Sequence, residues 1–555
     1  MKWQGYCDGY GGPGSPSFKE ESPPSQSSST SGQMEISRGR GNQLVRRRAI
    51  ETLLQPASTP SLFQHESEKT YFEYWLGLAD NVGGGWFQTN LFSRTIPQLS
   101  EAEPAVRYAA IAVGALASAM TPNIIPSTCL TGPPLDFGHG RHYKNALTYY
   151  GRALRLVRLQ QGANYDSTVR SAVIACMLFV CFETLHGNRD AAFQHINYGL
   201  TILEQFLRAK QKAITGTDET PPQSPEADPT IKLATSRLLE YQHKSPQPLI
   251  IEDEVLQVFQ RFEYQSWSPS MISRDRKAPV PLLRVPGNRT ADDIPAEFGD
   301  LEEARRWWDL VQHWALHFGR TVVEGYEDYV ASVAKDDPES AKTLDIVDAP
   351  ITQELRPKHI AILEKWHTSF LPLYVRVRGE KDQDERSYFK AVSLLLQFQI
   401  SWICIRTVCL SEYSTLYSLT PKFREVVRLS AILLPIQARV NNAVEPFTMD
   451  NGPTMALLIT ATKCRDATVR QQAIDLMKAF PRRDGFWDSR VATMVAEVNK
   501  DLEVRNDEGP LREQWRRLRE RSAVFNGKTP EVYLTYYVKD EETKEWKLTN
   551  ETLKA

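Results

Sequence analysis

Apolar side chains recur three and four residues apart through most of this chain, and that spacing limits the folds it can adopt. Between residues 142 and 159 the pattern comprises Tyr143, Leu147, Tyr150, Leu154 and Val157. This period places them along one face of an α-helix. Related patterns predict helices from His65, at 103–120, after 188, from 300, and at 356–377, 384–412, 422–446, 452–480 and 487–503. The chain is therefore predicted to be all-α.

Two segments, Ala172–Phe182 and Ala391–Ile405, are apolar on nearly every side. The first is too short to cross a bilayer, and the second contains two glutamines. We expect both to be buried helices, with no membrane partner. Seven cysteines, an odd number, argue against a disulfide framework, and no secretory signal pattern opens the chain. These features indicate a soluble intracellular protein.

The acidic and basic residues nearly balance, with a formal net charge of -2. Such a body has no overall electrostatic attraction for nucleic acid. Any affinity for DNA would have to come from a small basic segment.

Residues 11–61 are rich in serine, proline and glycine and contain few large apolar side chains. This composition buries too little surface to offset the entropy lost on ordering, so we predict a disordered linker. The linker carries a basic run, Arg46, Arg47 and Arg48. One interpretation is solvated linker charge, and the other is a nuclear-import or DNA-phosphate contact.

The remaining chain divides into a helical domain at 62–525 and a tail at 526–555. Polar, proline-rich inserts are expected near 210–248 and 268–295. In the tail, apolar residues alternate with their neighbours before a charged turn, which predicts a β-hairpin. The alternating residues are Val532, Leu534, Tyr536 and Val538.

The first ten residues read MKWQGYCDGY. The string from Trp3 to Tyr10 resembles the last loop of the fungal binuclear zinc cluster, a six-cysteine DNA-binding module. In that family the fifth and sixth cysteines are usually six residues apart, which would place the fifth immediately before Met1. The resemblance implies that residues 1–10 are the remnant of such a module, with Cys7 at a zinc-ligand position.

Six longer strings follow in order: FQHESEKTYFEYW, LSEAEPAVRYAAIAVGAL, YKNALTYYGRALRLV, SAVIACMLFVCFETLHGNRDAAFQHINYGLTIL, IPAEFGDLEEAR and FTMDNGPTMALLITATKCRDATVRQQAIDLMKAFPRRDGFWDS. Together they resemble the helical regulatory region of fungal zinc-cluster transcription factors. The resemblance covers most of the chain from Phe63 onward. It implies a nuclear, zinc-cluster-type regulator of RNA polymerase II transcription, in a family that often controls metabolic or secondary-metabolite genes.

An intact cluster of this family holds two zinc ions with six thiolates. Cys7 alone cannot build a tetrahedral site, so we expect no zinc in this chain and no structure at residues 1–10. DNA is an expected partner only if the five missing cysteines are encoded upstream. Co-regulators and a homodimer are the protein partners implied. The alternative is a DNA-binding-deficient helical interaction protein that partners or competes with intact relatives.

No residue pattern indicates an enzyme. The chain lacks a nucleophile elbow and a phosphate-binding loop. The pairs Cys176/Cys181 and Cys404/Cys409 are five apart, which turns the second side chain by about 140° on a helix, so we interpret them as core residues.

Histidine and aspartate groups also lack metal-site patterns. His313 and His317 form an HxxxH pair without the glutamate of a metalloprotease, and His139 and His142 have no third ligand nearby. Neither Asp292-Asp293 nor Asp336-Asp337 has the partner residues of a magnesium-dependent terpene cyclase.

Three further groups are interpreted as structural. We expect His186 and His195, which flank a short turn, to lie near helix-terminal carbonyls. The strings Lys463–Asp466 and Pro481–Asp484 are expected to fix loops at helix ends.

Overall fold

Helices make up most of the structure, as the apolar spacing predicts. The computed structural model describes residues 62–82, 87, 91–120, 140–159, 165–215, 253–267, 291–341, 344–440, 447–525 and 531–554. Within them the protein is all-α, with two small three-stranded sheets. The predicted zinc-cluster remnant, the predicted linker and most of both predicted inserts lie outside the described residues.

The first helices form an N-terminal core rich in small side chains. They are α1 (Glu66–Val82), α2 (Ile96–Ala102), α3 (Pro104–Met120), α4 (Arg141–Leu159), α5 (Tyr165–His186), α6 (Arg189–Thr215) and α7 (Asp253–Trp267). Gly114 on α3 lies so close to α1 that a Cβ atom there would be 2.0 Å from the carbonyl oxygen of Tyr71. The alanines of α3 allow the same close packing, because they add little bulk between neighbouring helices.

The later helices form a second, C-terminal core. They are α8 (Leu301–Asp336), α9 (Pro338–Ala341), α10 (Pro350–Gly379), α11 (Glu385–Arg406), α12 (Tyr413–Ser418), α13 (Thr420–Val440), α14 (Pro453–Lys463), α15 (Ala467–Ala479), α16 (Ser489–Arg505) and α17 (Leu511–Arg519). Large aromatic rings fill its centre: Trp308 and Trp366 are fully buried, with ring centroids 4.6 Å apart. Their mutual packing holds α8 against α10.

Two predicted helices are interrupted for identifiable reasons. The helix predicted at 452–480 divides into α14 and α15 because the Asp466 carboxylate accepts hydrogen bonds from the amides of Thr468 and Val469 and so starts a new helix. The helix predicted at 384–412 ends at Arg406. Residues 408–410 have φ values of 49°, 53° and 63°, which a right-handed helix does not accommodate.

Both strongly apolar segments lie inside the cores, as predicted. By length and composition alone, Thr168–His186 and Glu385–Arg406 could each cross a membrane, but 83% of the apolar window in each is buried within the fold. Such burial is expected of a central helix whose apolar side chains pack against neighbours on all sides.

The C-terminal hairpin is present and has an additional strand. Strand β5 (Glu531–Lys539) pairs antiparallel with β6 (Trp546–Lys554), and Val538 lies opposite Lys547. A third strand, β4 (Ser522–Phe525), pairs with the other edge of β5. The sheet therefore begins inside the segment predicted to be helical, before residue 526.

Candidate functional site

The residues that the sequence singles out for DNA and zinc chemistry lie outside the described part of the chain. They are Cys7, Arg46, Arg47 and Arg48. Their roles as a zinc-ligand position and as an import or phosphate-contact segment stay predictions.

Four of the five described cysteines are core residues, as interpreted from the sequence, whereas Cys409 is half-buried and lies beyond the end of α11. Cys176, Cys181, Cys404 and Cys464 are buried. Burial raises the pKa of Cys176 to about 12, because a thiolate would lose its hydration there. A thiol with so high a pKa is a poor nucleophile near neutral pH.

Within the part of the chain that the structure describes, the candidate metal ligands do not assemble into a cluster. Nε2 of His313 is 3.1 Å from Nε2 of His317, while Nδ1 of His313 lies 3.1 Å from the Glu263 carboxylate. The side chain of Asp292 is fully exposed, and Asp337 caps the start of α9. Among the described residues, which exclude His139, no group of three His, Cys, Asp or Glu side chains is placed to hold a metal ion.

His186 lies in the last turn of α5, as the sequence-based interpretation has it, whereas His195 lies inside α6 and contacts a tyrosine of α4, which corrects that interpretation for His195. The hydroxyl of Tyr150 donates to Glu183 at 2.6 Å and lies 2.8 Å from Nε2 of His195. Because that hydroxyl has one proton, the imidazole must be the donor to it. Burial lowers the pKa of His195 to about 4, so the ring is neutral at physiological pH. Similarly, the hydroxyl of Tyr143 lies 2.9 Å from Nε2 of His186.

A buried polar arrangement lies between the two cores. It consists of the loop at 447–452, the turn at 482–488 and Arg305 of α8, and we call it the buried joint. Strand β1 (Phe447–Thr448) runs parallel to β2 (Arg483–Asp484), which turns back into β3 (Trp487–Asp488). This small sheet brings two segments more than thirty residues apart into register.

Arg305 and Asp450 form the central ion pair of the joint. The Nη1 and Nη2 atoms of Arg305 donate to the two Asp450 oxygens at 3.1 and 2.7 Å, and Nε donates to Asp309 at 2.9 Å. Arg305 and Asp450 are each 4% exposed. Burial alone would lower the pKa of Arg305, but Asp309 and Asp450 together raise it above its ordinary value. The Arg305 guanidinium is therefore charged inside the protein.

A second carboxylate closes the other side of the joint. Asp484, also buried, accepts hydrogen bonds from the amide and hydroxyl of Thr454 at 3.0 and 2.6 Å and from Nε of Arg482 at 2.7 Å. It thereby satisfies the first turn of α14, whose amides have no partner within the helix. Gly452 is required beside it, since a Cβ there would meet the Asp484 carboxyl at 2.1 Å.

The same turn reaches into the N-terminal core. Nη1 of Arg483 donates to the carbonyl of Leu185 near the end of α5 at 2.9 Å, and Phe486 packs edge-on against Phe193 of α6. The amide of Gln265 on α7 donates to the carbonyl of Met449 at 2.7 Å. The joint thus bonds α5, α6 and α7 on one side to α8 and α14 on the other.

Sequence spacing gave no signal for the Arg305–Asp450 pair, because the residues are 145 positions apart. The string around Arg482 was expected to fix a loop, and it does so within this joint. Chemically, the arrangement holds ionised groups in fixed positions with short hydrogen bonds. It is suited to coupling two helical cores mechanically.

The fold and this site define the class: an all-α protein with two helical cores connected by a buried ionic joint. Searches of protein-family models, curated proteins and solved structures find no match to this chain.

Proposed function

We propose that this chain is a transcriptional regulator of the fungal zinc-cluster type that acts through its helical region. Its targets would include metabolic or secondary-metabolite genes, and its place of action would be the nucleus. The helical region would control access of co-regulators to an activation surface.

One observation carries the proposal. Four contact points of the buried joint lie in strings that resemble this family: Leu185, Arg305, Asp450 and Arg483. These contact points come from three separate strings, and the strings meet within one folded body, as the resemblance implies for a single regulatory region. Their convergence supports treating them as parts of one domain, and the resemblance in turn suggests regulation.

A tethered reporter assay tests the proposal. The full chain is fused to a heterologous DNA-binding domain in a fungal host, and transcription is measured from a reporter with the matching operator. We expect reporter output to change severalfold relative to the DNA-binding domain alone. The variant Asp450→Asn should lose that effect, whereas Asp475→Asn, on the exposed face of α15, should retain it. Unchanged output from the wild-type fusion would contradict the proposal.

The alternative function, a helical partner without DNA binding, is separated by a DNA-binding assay. Fluorescence anisotropy of a CGG-containing duplex is measured with the full chain in the presence of zinc. The alternative predicts no specific binding by this chain alone, together with altered binding when an intact zinc-cluster factor is added.

The basic run can be tested in the same host. Replacing Arg46, Arg47 and Arg48 together by alanine in a fluorescent fusion should lower the nuclear-to-cytoplasmic ratio if the run directs import. An unchanged ratio would favour solvated linker charge.

A further inference from the structure

Basic side chains outnumber acidic ones beneath the C-terminal sheet. Lys463 ends α14, Arg465 lies in the turn that follows, Arg470 is on α15, and Arg521 immediately precedes β4. One buried carboxylate, Glu503 on α16, lies among them. Four cations and one carboxylate leave an excess of three positive charges in this cluster.

Glu503 is already fully engaged. It accepts hydrogen bonds from Nη1 of Arg465 at 3.0 Å and from Nη2 of Arg521 at 2.9 Å. Burial by itself would raise the pKa of Glu503, but Arg521 and Arg465 lower it to about 2. The nearby Asp466 caps α15 and faces Arg424 at 3.8 Å. Glu503 also attracts Arg470, so three guanidinium groups share this one carboxylate, and Lys463 forms no ion pair within the described residues.

A cavity of ≈ 40 Å³ opens beside this cluster, between α14, α16 and the C-terminal sheet. Its polar lining includes Lys463, Asn499 and Arg521. One ordered water needs a cavity of roughly 10–15 Å³, so this space suits about three waters or one oxyanion group. A larger organic ligand would have to leave its remaining atoms outside.

Two hydrogen-bond donors here have no partner within the described residues. Oδ1 of Asn499 accepts from Nη1 of Arg521, while its buried Nδ2 has no hydrogen-bond acceptor. Nε of Arg470, a residue that is 9% exposed, likewise lacks one. Lys463 donates one hydrogen bond, to the hydroxyl of Tyr413 at 3.3 Å, although an ammonium has three donors.

We propose that this cavity binds a small oxyanion, a phosphate or carboxylate group, which Lys463 and Arg521 hold with the amide of Asn499 as a neutral donor. Buried charge is costly unless it is paired, and an oxyanion here would neutralise part of the excess. Charge-assisted hydrogen bonds from lysine and arginine are the usual means of holding such groups. Lys463 and Arg521 also lower the pKa of the buried Tyr413 hydroxyl, although burial opposes this, so the local potential is positive.

The site would tie three elements together. Its residues come from α14, from α16 and from the segment leading into β4, so a bound anion would fasten the C-terminal sheet to the helical body. This inference does not depend on the proposed transcriptional function.

Isothermal titration calorimetry of the full chain tests the site, with inorganic phosphate and acetate as separate ligands at constant ionic strength. We expect one ligand per chain and a rise in unfolding temperature on binding. Lys463→Met should weaken binding by about tenfold or more, because it removes a charge-assisted contact. Lys478→Met is the matched control, since Lys478 pairs with Glu497 outside the cavity lining, and it should bind as the wild type does.

A second variant distinguishes loss of the site from loss of the fold. Asn499→Asp keeps the size of the side chain and the acceptor for Arg521 but replaces the amide donor by a carboxylate. It should abolish anion binding and, in anion-free buffer, unfold at a higher temperature than the wild type. Preference for phosphate or acetate would identify the group. The proposal is overturned if neither anion binds saturably, or if Lys463→Met and Asn499→Asp both bind phosphate as the wild type does.

Discussion

Asp450→Asn is the sharpest test of the buried joint. The substitution conserves size and leaves one acceptor oxygen, but it removes the negative charge that faces both terminal nitrogens of Arg305. Removing one partner of a buried ion pair commonly costs about 3–5 kcal/mol, because the other charge remains buried. Arg305 would keep Asp309 at 2.9 Å, so we expect the lower end, about 3 kcal/mol.

Glu302→Gln provides the matched control, on the helix that carries Arg305. It makes the same acid-to-amide change, but Glu302 is half exposed and pairs with Lys390 at 2.7 Å on the surface. Surface ion pairs contribute about 0–1 kcal/mol, so this variant should differ little from the wild type. Urea unfolding, monitored by tryptophan fluorescence and by circular dichroism, would measure the free energy of unfolding of each variant.

A double-mutant cycle isolates the pair itself. With Arg305→Met in the background, Asp450→Asn should cost at least about 1 kcal/mol less than in the wild type, because the charge it strands is gone. If Asp450→Asn and Glu302→Gln lower the free energy of unfolding equally, the joint does not stabilise the connection between the cores and the reasoning fails.

Three further predictions concern packing and pH. Gly114→Ala should destabilise the fold by about 1–3 kcal/mol because its Cβ would meet the carbonyl of Tyr71. Gly77→Ala, at an exposed position of α1, should instead stabilise the fold by about 0.5–1 kcal/mol. Thermal melts with equal midpoints for the two variants would refute the close contact. Burial lowers the pKa of His195 to about 4, so as the pH drops the unfolded chain is protonated before the folded one, and stability should fall between about pH 6.5 and pH 4. In denaturant titrations, His195→Gln should flatten this dependence of stability on pH. An unaltered dependence would show that another group causes it. The pKa of Glu503 is lowered from 4.5 to about 2, so its contribution of about 3 kcal/mol to the free energy of unfolding is present above pH 4.5 and lost towards pH 2. Glu503→Gln should remove this loss of stability in acid. An identical acid transition in the variant and the wild type would argue against the contribution of Glu503.

The buried joint also indicates where partial unfolding would begin. Its stability depends on hydrogen bonds between charged groups, whereas each core depends on apolar packing. A partner that competes for Asp450 or Asp484 would therefore loosen the connection before either core. Hydrogen exchange of the amides at Thr454 and Gly485, which donate across the joint, would measure that opening.

Apolar spacing alone determined that this chain is helical, where most helices lie and which two helices are central. The alternation of Val532 and Leu534 with polar neighbours likewise determined the hairpin. These are local properties, because a side chain's position along a helix or strand decides which face it occupies. Helix ends were less predictable where a single side chain such as Asp466 starts a new helix.

Only the tertiary structure decided which charges meet. Arg305 pairs with Asp450, and Lys463 lies near the strand that follows Arg521. Both placements depend on how the helices of the cores pack. An ion pair between distant segments has no period in the sequence, so spacing cannot reveal it, and its energy depends on burial that exists only after folding. The sequence therefore determined the elements, and packing created both the joint and the cavity.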